Sequence, residues 1–183
     1  MTPISRTPEF DLLASSANYI KPEFERVTSP WAGSPFEWVK VLPSASRGKL
    51  GKRLVHQWCA LKGLSTDNSP DSQADMLING HRVEIKFSTL WEVGIYKFQQ
   101  IRDQNYEYAV CLGVSPFNAH CWVISKQILK QHVIGHTGQH TGSSGQETAW
   151  FEVHPQSPID WLVPCGGTLE EAYKVLKSLS SKI

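Results

Sequence analysis

The sequence predicts a mixed α/β protein with one small sheet flanked by helices, and three observations support this fold class. Short segments rich in β-branched and aromatic residues lie in the middle of the chain, between residues 75 and 124. Segments with the helical spacing of apolar residues precede and follow them. The dipeptide Asn79-Gly80 separates the first two extended segments and is typical of a two-residue β-hairpin turn.

Two helices are predicted in the first third of the chain. Residues 34–42 suit a short helix, because Ser34 can cap its first turn and Pro43 ends it. Residues 46–62 suit a longer amphipathic helix that ends at Gly63. Its apolar residues recur at steps of four and three positions: Leu50, Leu54, Trp58 and Leu61.

Further elements are predicted after the hairpin. Residues 106–114 and 120–124 are β-branched and aromatic, which predicts two strands, whereas residues 95–102 fit a helix and a strand equally. A short helix, another strand and a C-terminal helix with a capping box follow at residues 125–131, 150–153 and 168–179.

The chain is expected to consist of an arm and one domain. Residues 1–33 are expected to be an irregular N-terminal arm, and residues 34–183 a single domain. The start of the chain lacks a signal-peptide pattern, and no apolar run approaches the ~20 residues that span a membrane. Four prolines interrupt the arm: Pro3, Pro8, Pro22 and Pro30.

The four cysteines are widely spaced, which favours reduced thiols and a cytoplasmic location.

The charge balance excludes a polycationic nucleic-acid binder, because 18 Lys and Arg against 17 Asp and Glu leave a net charge of only +1. Hydrophobic residues make up 40% of the chain, which excludes a disordered protein. The near-neutral total hides a local cluster, since residues 38–66 contain no carboxylate. This cluster predicts a phosphate-binding surface, with a solvated helix face as the alternative. Its members are Lys40, Arg47, Lys49, Lys52, Arg53 and Lys62.

The hairpin brings charged residues together on one face of the predicted sheet. With Asn79 and Gly80 as the turn, Asp75 lies opposite Glu84, and alternate residues share a face. Asp75, Glu84 and Lys86 therefore meet on one side of the sheet. The residues between them point into the core: Met76, Val83 and Ile85.

This charged group has the composition of a phosphodiester-hydrolysing site. Two opposed carboxylates repel each other unless a positive charge neutralises them. Carboxylate oxygens on a partly open site suit Mg²⁺, which keeps several waters and binds phosphate as well. A lysine such as Lys86 can orient the attacking water and stabilise charge on the phosphate. The alternative is an exposed ion pair between Glu84 and Lys86.

Asp75 followed by Glu84-Ile85-Lys86, after a helix and before further strands, resembles the motif of the PD-(D/E)XK nuclease superfamily. The resemblance covers about residues 46–125. It implies a restriction-endonuclease-like core, in which a small mixed central sheet with a catalytic hairpin is flanked by helices. It also implies that Asp75, Glu84 and the backbone carbonyl of Ile85 bind Mg²⁺, for which Mn²⁺ substitutes, and that Lys86 is the catalytic lysine.

Two positions need a choice between residues. Pro70-Asp71 also matches the Pro-Asp element of the motif, but Asp75 is preferred because the hairpin register places it on the charged face. Many superfamily members carry a glutamate on the helix before the hairpin, where this chain offers Lys52 or Arg53. One-metal chemistry is therefore expected.

The resemblance implies a Mg²⁺-dependent DNA endonuclease of the restriction or phage-defence type. A homodimer is expected, because duplex cleavage needs two active sites, and a cognate methyltransferase or other defence-system protein is an expected partner. The residues expected to contact the DNA backbone are Arg47, Lys49, Lys52 and Arg53. Two alternatives stay open: a repair, junction or transposition endonuclease, and a non-catalytic DNA-binding or immunity-type module on the same fold.

Three histidines recur every four residues near the end of the chain: His132, His136 and His140. Gly135 and Gly138 argue against a helix there, so a polar surface loop is favoured over a zinc site. Entry of this loop into a DNA groove is the further alternative, because long loops in small domains are often functional.

Overall fold

The computed structural model describes residues 7–24, 29–139 and 148–179, and the chain divides into two compact units, Met1–Gly33 and Ser34–Ile183. None of the helices within these described ranges combines the length and apolar character that crossing a membrane requires.

The first unit contains helix α1 (Pro8–Phe24). The expectation of irregular structure is wrong for this segment. Pro8 takes the first helical position, where the N–H that proline lacks would have no partner within the helix. The Thr7 hydroxyl accepts a hydrogen bond from the N–H of Phe10 at 3.3 Å and so caps the first turn.

The second unit contains three α-helices and nine strands within the described residues. The helices are α2 (Ser44–Leu61), α3 (Lys126–His132) and α4 (Leu169–Ser178). The strands are β1 (Thr66–Asn68), β2 (Met76–Ile78), β3 (His81–Thr89), β4 (Tyr96–Ile101), β5 (Tyr108–Val114), β6 (Ala119–Ser125), β7 (Gly138–Gln139), β8 (Thr148–Val153) and β9 (Gly166–Thr168).

Most predicted elements of this unit are confirmed. The helix expected at residues 46–62 is α2, and the strands expected at 106–114 and 120–124 are β5 and β6. The capping box of α4 is present, since the Thr168 hydroxyl accepts the N–H of Glu171 at 3.1 Å and the Glu171 carboxylate accepts the N–H of Thr168 at 2.9 Å. The helix expected at 34–42 is reduced to a short 3₁₀ helix, Glu37–Val39.

The central sheet is mixed and has six strands in the order β1-β2-β3-β5-β6-β9. The pair β3 and β5 is parallel, and the other neighbouring pairs are antiparallel. Helix α2 packs on β3, and α4 packs on β6. The predicted mixed α/β class, with a small mixed central sheet flanked by helices, is confirmed.

A second, three-stranded sheet in the order β4-β8-β7 is an addition to the predicted single sheet. It contains the segment 95–102, whose secondary structure the sequence left open. The segment is a strand because Tyr96, Phe98 and Ile101 are buried against the central sheet, whereas Gln99 and Gln100 are exposed. The core between the two sheets includes Phe98, Phe151, Cys111 and Trp122.

A pair of glycines in α2 provides a test of this packing. A Cβ atom at Gly51 would lie 2.7 Å from Cγ of Phe87 on β3, whereas a Cβ atom at Gly48 would have no atom within 4 Å. We expect Gly51→Ala to lower the free energy of unfolding by about 1–3 kcal/mol through overpacking. The matched variant Gly48→Ala is expected to raise it by about 0.5–1 kcal/mol, because alanine favours the helix. Urea unfolding of both variants measures the difference, and shifts of the same sign would contradict the close contact between α2 and β3.

The cysteines provide a second test. All four are free and buried, as expected for small apolar side chains, and burial raises the pKa of the Cys59 thiol to about 12 and that of Cys165 to about 11. Since the thiolate is the reactive form, we expect no reaction with a thiol reagent at pH 8 in the folded protein. All four thiols should react once guanidinium unfolds the chain. Rapid labelling without denaturant would show that a cysteine is accessible.

Candidate active site

The hairpin turn is formed as the sequence predicts. Asn79 has a φ of 50° and Gly80 a φ of 78°, the left-handed conformation that this two-residue turn requires at both positions. The pairs Ile78 with His81, Leu77 with Arg82 and Met76 with Val83 also agree with the prediction. The residues expected in the core are buried: Met76, Val83 and Ile85.

The predicted direct pairing of Asp75 with Glu84 is wrong. The ladder between β2 and β3 ends at the pair Met76 with Val83, so Asp75 lies just outside β2. The N–H of Asp75 donates to the carbonyl oxygen of Val83 at 2.9 Å. One oxygen of the Asp75 carboxylate, Oδ2, accepts the backbone N–H of Ile85 at 2.8 Å.

Asp75, Glu84 and Lys86 nevertheless line the same cleft, which has a volume of about 730 Å³. Hydrogen bonds with the backbone of Val83 and Ile85 hold Asp75 at this cleft, and the alternation of β3 brings Glu84 and Lys86 to it. Ile85 lies between the cleft and the core. It lines the cleft, and only 5% of the residue is exposed.

Each carboxylate of the cleft has a lysine partner. Lys52 of α2 forms an ion pair with Asp75, and Lys86 Nζ lies 2.7 Å from Glu84 Oε1. The side chains of Asp75 and Glu84 are only 11% and 13% exposed, so these contacts act in a partly desolvated environment. The carboxylate repulsion that the sequence predicts is thus balanced by two ammonium groups.

The basic residues of α2 divide into two groups. Arg47, Lys49 and Lys52 line the cleft together with the charged residues of the hairpin. Arg53 is exposed and is not among the residues that line the cleft, although the sequence analysis groups it with them. The helix position beside Asp75, where the superfamily resemblance suggests an acid, holds Lys52.

The opposite side of the cleft comes from β4 and the residues after it, which the sequence analysis did not assign to a site. These residues are Lys97, Gln99, Gln100, Arg102 and Gln104. The backbone carbonyl of Gln100 accepts a hydrogen bond from Lys86 Nζ at 2.7 Å. The exposed positions of residues 95–102 hold polar side chains, which is the sequence signal that indicates this side of the cleft. Because the sequence left the secondary structure of the segment open, these side chains could not be assigned to one face.

Two other candidates lie outside this cleft. Asp71, the second match to the Pro-Asp element, is exposed and forms an ion pair with Arg82, and the hydrogen bond from Arg82 lowers the pKa of that carboxyl. The ring of His132 stacks on Trp161 with 5.0 Å between centroids, and His140 lies outside the described residues. Within the described ranges, no group of three or more His, Cys, Asp or Glu residues is arranged to hold a metal ion.

Comparisons with known proteins include a similarity to a solved structure. No family model matches the chain, and no curated protein matches it. The chain is similar to the solved structure of a bacterial homing endonuclease, I-Ssp6803I, with 12% sequence identity and a TM-score of 0.48. The similar region covers 73% of this chain and 91% of that one.

Proposed function

We propose that this protein is a Mg²⁺-dependent DNA endonuclease with the active-site motif of the PD-(D/E)XK superfamily. The observation that carries the proposal is the shared cleft of Asp75, Glu84 and Lys86 with three basic side chains of α2. Two carboxylates, a lysine and a phosphate-binding surface are the parts that hydrolysis of a phosphodiester needs.

The donor atoms of the cleft fit Mg²⁺. The carboxylates of Asp75 and Glu84 are hard oxygen ligands, and the resemblance adds the backbone carbonyl of Ile85. When bound, the metal lowers the pKa of the attacking water and balances the negative charge that develops on the phosphate. Binding would replace the lysine contact of at least one carboxylate, because Lys52 and Lys86 now occupy these oxygens.

The ammonium group of Lys86 is positioned to donate a hydrogen bond to a water molecule or a phosphate oxygen. Its Nζ donates to Glu84 Oε1 and to the carbonyl of Gln100, each at 2.7 Å, and its side chain is 14% exposed. An ammonium group has three donors, so one N–H remains for the reacting group. This two-point support fixes the position of the charge without a further side chain.

The basic residues of α2 supply the contact to the DNA backbone. Arg47, Lys49 and Lys52 lie in an acid-free stretch of the chain and line the cleft. Cations in this position attract phosphate whatever the base sequence. A homodimer, the restriction or phage-defence role and a methyltransferase partner remain predictions from the resemblance.

A second candidate function is a non-catalytic DNA-binding module on the same fold. The ion pair of Lys52 with Asp75 favours it, because an ammonium group takes the place beside Asp75 where the superfamily often has an acid. The two candidates differ in divalent-metal binding and in strand cleavage.

The nuclease proposal is tested on supercoiled plasmid with Mg²⁺ or Mn²⁺. We expect the wild type to nick or linearise the plasmid, and Asp75→Ala and Lys86→Ala to lower the rate by about 100-fold or more, because each removes a group of the reacting site. The matched control is Asp71→Asn, which changes an exposed carboxylate outside the cleft and should retain activity. Equal nicking by all four proteins would refute the assignment.

The role of Lys52 is tested by titration with Mn²⁺. Removing an ammonium group that competes for Asp75 should raise the metal affinity of Lys52→Ala by about two- to fivefold, as expected for a half-exposed ion pair. Arg53→Ala is the control, because it removes the same charge from the adjacent position outside the cleft. Calorimetry measures both. Equal affinities would exclude competition, and no Asp75-dependent binding in any protein would favour the non-catalytic module.

A further inference from the structure

The two sides of the cleft differ in chemistry. The side formed by α2 carries the cations Arg47, Lys49 and Lys52, which we call the cationic wall. Besides Lys97 and Arg102, the side formed by β4 and the residues after it carries three neutral amides, which we call the amide wall: Gln99, Gln100 and Gln104. Cations bind phosphate at any sequence, whereas an amide offers one donor and one acceptor group to a base edge.

A bulge in β4 creates the amide wall. The register of β4 against β8 shifts between Phe98 and Ile101, and Gln100 has a φ of 56°. In a regular strand one of two consecutive side chains would point into the core, but here Gln99 and Gln100 are both exposed. A left-handed conformation is strained for a non-glycine residue, and residues held in it cluster at functional sites.

The backbone of the amide wall is anchored by buried neighbours and lies next to the catalytic group. Phe98 and Ile101 on either side of the bulge are buried, at 0% and 1% exposed, and hold the backbone in place. The carbonyl of Gln100 accepts a hydrogen bond from Lys86 Nζ at 2.7 Å, so the bulge and the catalytic lysine are joined directly. A base in contact with this wall would therefore be close to the phosphate that is cut.

Donors on the amide wall lack partners. Among the described residues, the side-chain amides of Gln99, Gln100 and Gln104 make no hydrogen bond. Arg102 lines the same side, and its Nε is a buried donor without a partner in the described part of the chain. Buried donors are usually satisfied, so this Nε requires an acceptor from a water molecule or from a ligand in the cleft. Lys97 differs, because Glu152 lies 3.1 Å from its Nζ and the Trp150 ring covers it at 3.9 Å.

We infer that the amide wall and Arg102 read base edges of bound DNA while the cationic wall holds the backbone, which makes Gln99, Gln100, Arg102 and Gln104 the specificity determinants of this enzyme. The inference rests on the proposed DNA endonuclease function and assigns its sequence preference. Glutamine pairs with the N6 and N7 edge of adenine, and arginine with the O6 and N7 edge of guanine. The contacted positions are therefore expected to be purines on the strand that faces this wall.

The test is binding of a randomised duplex library in Ca²⁺, which separates recognition from cleavage. The variants Gln99→Ala, Gln104→Ala and Gln100→Gly remove one amide each, and glycine at 100 keeps both the left-handed backbone and the carbonyl that Lys86 contacts. We expect each variant to lose about tenfold or more in discrimination at one base position. Thermal unfolding verifies that each variant is folded.

Two controls separate base reading from backbone binding. Gln57→Ala changes an exposed glutamine of α2 outside the cleft and should keep the wild-type preference. Lys49→Ala should weaken binding to all sequences alike and lower the salt dependence by about one phosphate contact. An unchanged preference in the three amide variants, or equal wild-type binding to every sequence, would overturn the inference. Sequence-dependent binding without plasmid cleavage would instead overturn the endonuclease proposal alone.

Discussion

The parallel pairing of β3 with β5 is the constraint on which the cleft depends. Parallel neighbours in a sheet cannot be joined by a tight turn and need a crossover of a dozen or more residues. Here residues 90–107 form the crossover, and its central part is β4, which leaves the central sheet and pairs with β8. The crossover thus faces the polar side of β3 across the cleft. The hydrogen bond between the Gln100 carbonyl and Lys86 Nζ connects the crossover to β3.

One face of β3 packs against α2, and the other lines the cleft. One face carries Phe87 under α2, and Gly51 lets the helix approach it closely. The other face carries Glu84 and Lys86 into the cleft. Because α2 is held so tightly by the first face, its N-terminal half reaches the edge of the second, and Lys52 comes into contact with Asp75. Packing therefore decides which cations of the basic segment belong to the site.

In the proposed function, the electrostatics of the cleft would link metal binding to the position of the lysines. Both carboxylates are largely shielded from solvent, and each has an ammonium partner. A divalent cation would compete with these partners, and an arriving phosphate would attract the displaced lysines. Metal and DNA binding are therefore expected to favour each other.

Local chemistry made much of the site predictable. Asn79-Gly80 determines the turn, because both residues tolerate the left-handed conformation, and the turn determines the register of the next three pairs. Glu84 and Lys86 then share a face by strand alternation alone. The predicted pair of Asp75 with Glu84 is absent, because the ladder ends one residue earlier, at Met76. Outside the ladder, the Asp75 carboxylate accepts the N–H of Ile85 instead.

By itself, the sequence determined the mixed α/β class, α2, the hairpin, the capped α4 and the charged residues on β3, because each depends on residues close together in the chain. The tertiary structure decided that residues 95–102 form a strand, since burial of Tyr96 and Phe98 between two sheets outweighs an undecided local preference. It also decided that Lys52 and not Arg53 meets Asp75, and that Gln100 meets Lys86. Those contacts join segments that only the crossover and the packing of α2 bring together, so no spacing along the chain contains them.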